Sequence, residues 1–244
     1  MSSLWFWGLW ILAASWIVAR LVVWYPQWLR FEESRWRKEL LLEHGAGSGM
    51  EPSNISVPQF FIGLPVSGKD VLVSVVLVIA TGAWALWQYQ HTILSALWML
   101  NAWVLITLAF VDYRTRLLPD LLTLPLLWLG LLIQLWPATR TVGLEMAVIG
   151  AVAGYLPLWL LAHFYRLVRK RDGLGMGDLK LLAAMGAWSG PWVLPYVLLG
   201  ASLLAILGVL CCRLLASRRI GMQEELPFGP SIILAYGLVL LASA

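Results

Sequence analysis

Residues 100–136 read LNAWVLITLAFVDYRTRLLPDLLTLPLLWLGLLIQLW: two apolar runs separated by a short charged turn. Each run reaches toward the roughly 20 residues that a helix needs to cross about 30 Å of hydrocarbon. The turn between them carries two acids, Asp112 and Asp120, and two arginines, Arg114 and Arg116. The pattern predicts an antiparallel pair of membrane helices with charge confined to one end.

The remainder of the chain repeats it. Of 244 residues, 61% are hydrophobic and 12% charged, and sixteen are tryptophan. A soluble domain carries about 25% charged residues, and a soluble helical domain of this composition would expose too much apolar surface. The fold class is therefore all-α, a polytopic membrane bundle of about eight transmembrane helices. The apolar segments run from about 4 to 25, 71 to 87, 92 to 111, 121 to 136, 143 to 165, from 179 to a break at Ser-Gly-Pro 189–191, from 192 to 215, and on to the end near 244. Two parts follow: residues 1–69, a first span plus a cysteine-free loop, and residues 70–244, the embedded core. Within 26–70, RFEESRWRKELLLEH suggests an amphipathic surface helix ahead of a turn-rich stretch. The start of the chain lacks the basic region and cleavage site of a signal peptide and reads as the first span.

The net charge of +4 is topological rather than a nucleic-acid signal. The loops after the first, third, fifth and seventh segments hold fourteen lysines and arginines, among them Arg114, Arg116, Arg166 and Arg169. The loops after the even segments hold Arg140 alone. Positive residues collect in cytoplasmic loops, so this parity places the odd loops in the cytoplasm. It also puts Asp112 and Asp178 on that same side.

Acids at span boundaries are costly. Asp178 directly precedes LKLLAAMGAW, where a helix N-cap would explain it. Asp112 follows LITLAFV at a helix C-terminus, the unfavourable end of the dipole. A carboxylate pair offers a common explanation. Two such groups within reach share a proton, so that one activates water while the other polarises a peptide carbonyl. Proton- or ion-coupled transporters also hold intramembrane acids, and such a transporter is the alternative reading, although no internal repeat supports it. A non-catalytic assembly factor is a third. Ahead of Asp178, Gly173, Gly175 and Gly177 permit positive φ and close approach of another chain. No phosphate-loop pattern is present.

Three segments, VDYRTRLLPDLLTLPLLWLGLL (111–132), GLGMGDLKLLAAMGAWSG (173–190) and LPFGP (226–230), resemble the type IV prepilin peptidases, bacterial GxGD aspartyl proteases. They occur in the family's order across roughly residues 70–244. The resemblance implies Asp112 and Asp178 as the catalytic pair, with Asp120 in a structural turn where it also suits an N-cap. It implies cleavage of a basic leader from prepilins or secretion pseudopilins, at the cytoplasmic face of the bacterial inner membrane, without metal or other cofactor. Family members that also methylate the new N-terminus carry a GSFLNVVI-like segment and paired CxxC motifs. Here that stretch reads ASWIVARLVVWYP, and the 26–70 loop has no cysteine, which leaves no ligand set for zinc there. Methyl transfer, and with it S-adenosylmethionine, is therefore expected only if that activity survives without these features.

Smaller features have plain readings. Cys211 and Cys212 are packing or lipid-facing residues, and His44, His91 and His163 are scattered rather than clustered. Glu224 and Glu225 belong to a solvated loop. The tryptophans suit the membrane interfaces. Gly150 and Gly154 form a small-residue face for close helix packing, and AAMG (183–186) offers a matching one.

Overall fold

The computed structural model describes residues 68–89, 93–169, 175–215 and 228–243. Its compact units are Met1–Ile79 and Ala80–Ala244. Of the first, only the opening turns of one helix are described. The first apolar segment and the 26–70 loop lie outside the described residues.

The described residues form helices joined by turns, with no strand among them, as the composition requires. The helices are α1 (Gly68–Tyr89), α2 (Ile93–Thr115), α3 (Asp120–Leu132), α4 (Leu144–Arg169), α5 (Met176–Ser189), α6 (Leu194–Leu215) and α7 (Gly229–Ala242). Short 3₁₀ turns, Ile133–Leu135 and Pro191–Val193, follow α3 and precede α6. Among the described residues, four segments are long and apolar enough to cross a membrane: Leu72–Tyr89, Ile93–Thr115, Leu144–Arg169 and Pro191–Cys211. The fourth, sixth and eighth apolar segments are shorter than a full span. At 1.5 Å per residue, the 14 residues of α7 cover about 21 Å. The expected break at 189–191 is present: Gly190 takes φ +79°, where only glycine is unstrained, and Pro191 opens the 3₁₀ turn.

Small residues set the packing between α4 and α5. A side chain on Gly150 would run into the Gly186 carbonyl, and one on Gly186 into the Gly150 carbonyl. One turn along, a side chain on Gly154 would meet the backbone of Leu182 and Ala183. The pairs 150–186 and 154–182 run in opposite directions, so the helices are antiparallel with their backbones in contact. Without a hydrophobic drive inside lipid, such close approach supplies the dispersion that holds helices together. Both expected small-residue faces thus meet each other.

Helix α5 is the centre of the unit, with every residue from Leu179 to Trp188 buried except half-buried Lys180. Trp188 lies flat against Gly130 of α3, donates from Nε1 to the Leu126 carbonyl at 2.9 Å, and meets Trp98 edge-on. Trp98 in turn stacks on Tyr89. Trp87, Trp128, Trp136 and Trp192 face outward, while Trp98, Trp103 and Trp188 are buried in the interior.

The two ends of the unit differ in chemistry. At one end, Gln134 is buried and holds the turn before α4. Its Oε1 accepts from the backbone N–H groups of Thr141, Val142 and Gly143, and its Nε2 donates to Thr141 Oγ1. Ser189 and Tyr236 are hydrogen-bonded through their hydroxyls at 2.6 Å, which ties α5 to α7 at that end. At the other end lie the C-terminal turns of α2 and α4, with Arg114, Arg166 and Arg169, and the N-termini of α3, α5 and α7. Both predicted site residues are there.

Candidate active site

Asp112 does not terminate its helix. Helix α2 continues one turn further to Thr115, and Arg116 closes it with a left-handed φ of +54° and an N–H bond to the Asp112 carbonyl at 2.7 Å. Thr115 turns its hydroxyl back to the Val111 carbonyl, and the Leu117 N–H bonds to that hydroxyl. The Asp112 side chain is buried, 5% exposed. The backbone N–H of Gly229 donates to its Oδ2 at 3.0 Å. Gly229 is the first residue of α7, so the carboxylate sits at the unfavourable end of its own helix and the favourable end of another. The dipole of α7 and the hydrogen bond offset part of the cost that burial places on a charge.

The conformation of α5 changes the reading of Asp178. The N-cap position is Gly175, in extended backbone, with no side chain capping it. Asp178 lies within the first turn, its N–H bonded to the Gly175 carbonyl at 3.2 Å. The expected capping role is therefore not the one its carboxylate plays. That carboxylate is close enough to Asp112 for the two charges to act on each other. Burial, and then the neighbouring charge of Asp112, push the Asp178 carboxyl up to about 7.

The glycines ahead of Asp178 act through space rather than through backbone conformation. Gly175 has φ −68°, Gly177 is helical, and neither is in the left-handed region. A side chain on Gly177 would come within 2.8 Å of Leu118 Cβ. The loop from α2 to α3 therefore presses on the start of α5, which brings two of the three motifs together. A side chain on Gly175 would come within 3.1 Å of the Asp178 Oδ2 atom. Gly173, Glu224 and Glu225 lie outside the described residues.

Asp120 has a different partner. The N-cap of α3 is Pro119, whose carbonyl takes the N–H groups of Leu122 and Thr123, and Asp120 caps nothing. Its carboxylate, half exposed, accepts from Lys180 Nζ at 2.6 and 2.7 Å. Asp120 thus links α3 to α5 beside the site. Sequence reasoning missed Lys180, although its spacing from Asp178 was in plain view. It also left Gly229 without a role inside the third motif.

The remaining candidates stay apart from the site. His163 stacks on Trp159 of its own helix, and Cys211 is exposed on α6. His44, His91 and the side chain of Cys212 lie outside what is described. Among the described residues, no cluster of three His, Cys, Asp or Glu side chains could hold a metal ion.

Residues 99–210 match the type IV leader peptidase family. Curated relatives bear the name prepilin leader peptidase/N-methyltransferase. The protein from Dickeya chrysanthemi is 48% identical over 64% of this chain and 53% of its own length. That from Dichelobacter nodosus is 39% identical over 75% of this chain and 60% of its own. That from Aeromonas hydrophila is 46% identical over 59% of this chain and 48% of its own. The chain spans about half the length of these relatives. No solved structure matches it. The match encloses both Asp112 and Asp178, and its family is the one that the three motifs resemble.

Proposed function

We propose that this chain is an aspartic endopeptidase that removes the basic leader from type IV prepilins or type II secretion pseudopilins, with Asp112 and Asp178 as its catalytic pair. The observation that carries this reading is that two carboxylates from separate helices lie close enough for their charges to act on each other, one bonded to a backbone N–H and the other raised to about 7. In hydrolysis the ionised member takes a proton from water as its oxygen bonds to the scissile carbonyl carbon. The protonated member passes its proton to the carbonyl oxygen, giving a neutral gem-diol. The first acid then protonates the amide nitrogen, the second recovers a proton from the gem-diol, and the C–N bond breaks. Water is consumed, an acid and an amine leave, and the pair returns to its starting state. No metal or other cofactor enters these steps.

The clustering of Arg114, Arg166 and Arg169 at the dyad end supports a cytoplasmic face, by the positive-inside rule, in a bacterial inner membrane. The relatives' names support prepilin-like substrates. They also carry N-methyl transfer, against which this chain's cysteine-free loop argues. Labelled S-adenosylmethionine supplied with purified protein and cleaved pilin tests that activity directly.

The deciding experiment is co-expression with a type IV prepilin. Wild type and Asp120→Asn should process it, and Asp112→Asn and Asp178→Asn should not. Normal processing by either of the latter two sinks the pair. Loss of processing by a stable, inserted Asp120→Asn protein would reopen the choice of partner.

A further inference from the structure

The two acids of the site are not equivalent, and the structure assigns them separate roles: Asp112 is the ionised, water-activating member, held so by the backbone N–H of Gly229, and Asp178 is the proton-bearing member. This inference rests on the proposed peptidase reading for its chemistry, but its evidence is the asymmetry of the two environments.

Asp112 accepts a hydrogen bond from a backbone amide at 3.0 Å. An amide can only donate, so this bond favours the anion over the neutral acid. The amide belongs to the first residue of α7, whose helix dipole acts in the same direction. The charged groups acting on Asp112 are Arg116, one turn on along its own helix, and Asp178 on α5. Burial acts against a charge on both acids. What separates them is that Arg116 and the Gly229 amide favour the anion on Asp112, whereas Asp178, besides its burial, has the neighbouring Asp112 charge against it. The one ammonium on its own helix close by, Lys180, is engaged with both oxygens of Asp120.

Gly229 is needed as glycine for this arrangement. A Cβ there would stand 2.6 Å from Asp112 Oδ2 and 3.0 Å from its Cγ, closer than non-bonded atoms tolerate. The amide can reach the carboxylate only because no side chain stands between them. Gly237, two turns further along the same helix, has open space around the corresponding position. It is the internal control.

The test has two arms on the full chain in detergent. In the first, infrared spectra at pH 6 are compared for wild type, Asp112→Asn and Asp178→Asn. A protonated-carboxyl C=O band should be present in wild type, lost in Asp178→Asn and retained in Asp112→Asn. A band lost in Asp112→Asn and retained in Asp178→Asn, or absent from wild type, overturns the assignment without touching the peptidase reading. In the second arm, cleavage of a purified type IV prepilin is followed in Gly229→Ala and Gly237→Ala. The first should lose at least tenfold in kcat with KM within twofold, and the second should match wild type. Wild-type kcat in Gly229→Ala overturns the positioning role. Should Gly229→Ala fail to fold, the infrared arm alone decides the assignment. A wild type that cleaves no prepilin counts against the peptidase reading instead.

Discussion

Lys180 reaches across from α5 and binds both carboxylate oxygens of Asp120 at the start of α3, at 2.6 and 2.7 Å. The pair lies beside the dyad, two residues past Asp178, and disposes of the third acid in the neighbourhood. Pairs this exposed contribute at most about 1 kcal/mol. Their effect is expected in the placing of α5 rather than in global stability.

Charge exchange tests that placement. Asp120→Lys or Lys180→Asp alone puts like charges face to face, and each should lower kcat several-fold while prepilin KM stays near wild type. The double exchange, Asp120→Lys with Lys180→Asp, should recover most of the loss. Steady-state cleavage of a purified prepilin by the three variants measures it. A double variant as impaired as the sum of the singles would remove the pair from the account.

The pH dependence follows from Asp178. With its carboxyl raised to about 7, the proton needed on this member is lost as pH rises through that value. Cleavage measured as kcat/KM should therefore fall above about pH 7, toward tenfold per unit. Stability has the same sign. The folded state holds this proton more tightly than the unfolded chain, whose aspartate ionises near 3.9, so folding is progressively disfavoured as pH rises from about 4 to 7. Thermal unfolding in detergent should show Asp178→Asn losing less Tm than wild type between pH 5 and pH 8.

Helix contact at Gly150 and Gly186 predicts a sharp contrast between glycines. Gly186→Ala places a methyl against the Gly150 carbonyl and should cost about 1–3 kcal/mol, the range for overpacking. Gly208→Ala, on α6 with nothing within 4 Å of the new carbon, should be neutral or stabilise by up to about 1 kcal/mol. Unfolding of both variants in the same detergent separates packing from helix propensity.

Gln134 supports a whole turn from one buried side chain. Gln134→Ala removes the acceptor of three backbone N–H groups, at Thr141, Val142 and Gly143; only Gly143 is buried, and an unpaired buried group costs about 1–3 kcal/mol. Amide hydrogen exchange should accelerate at residues 141–143 and at the first turn of α4, while the dyad end remains protected. Unchanged exchange there would assign the turn to other contacts.

Sequence alone determined the helical membrane class, the break at Gly190, the small-residue faces at 150–154 and 183–186, and the attention due to Asp112 and Asp178. These are properties of local solvation and backbone: apolar runs must be buried in lipid, glycine and proline interrupt helices, and an acid beside hydrocarbon demands a reason. Three decisions belonged to the tertiary structure. Asp112 lies at the wrong end of its own dipole and is reconciled only by Gly229, 117 residues away. Asp120 is as acidic in sequence as its neighbour, and only the reach of Lys180 gives it a partner of its own. The glycines before Asp178 suggested an unusual backbone, but Leu118 shows that at Gly177 what mattered was room. Each depends on which side chain or amide another helix brings within 3 Å, and a helix's own sequence carries no record of its neighbour's register.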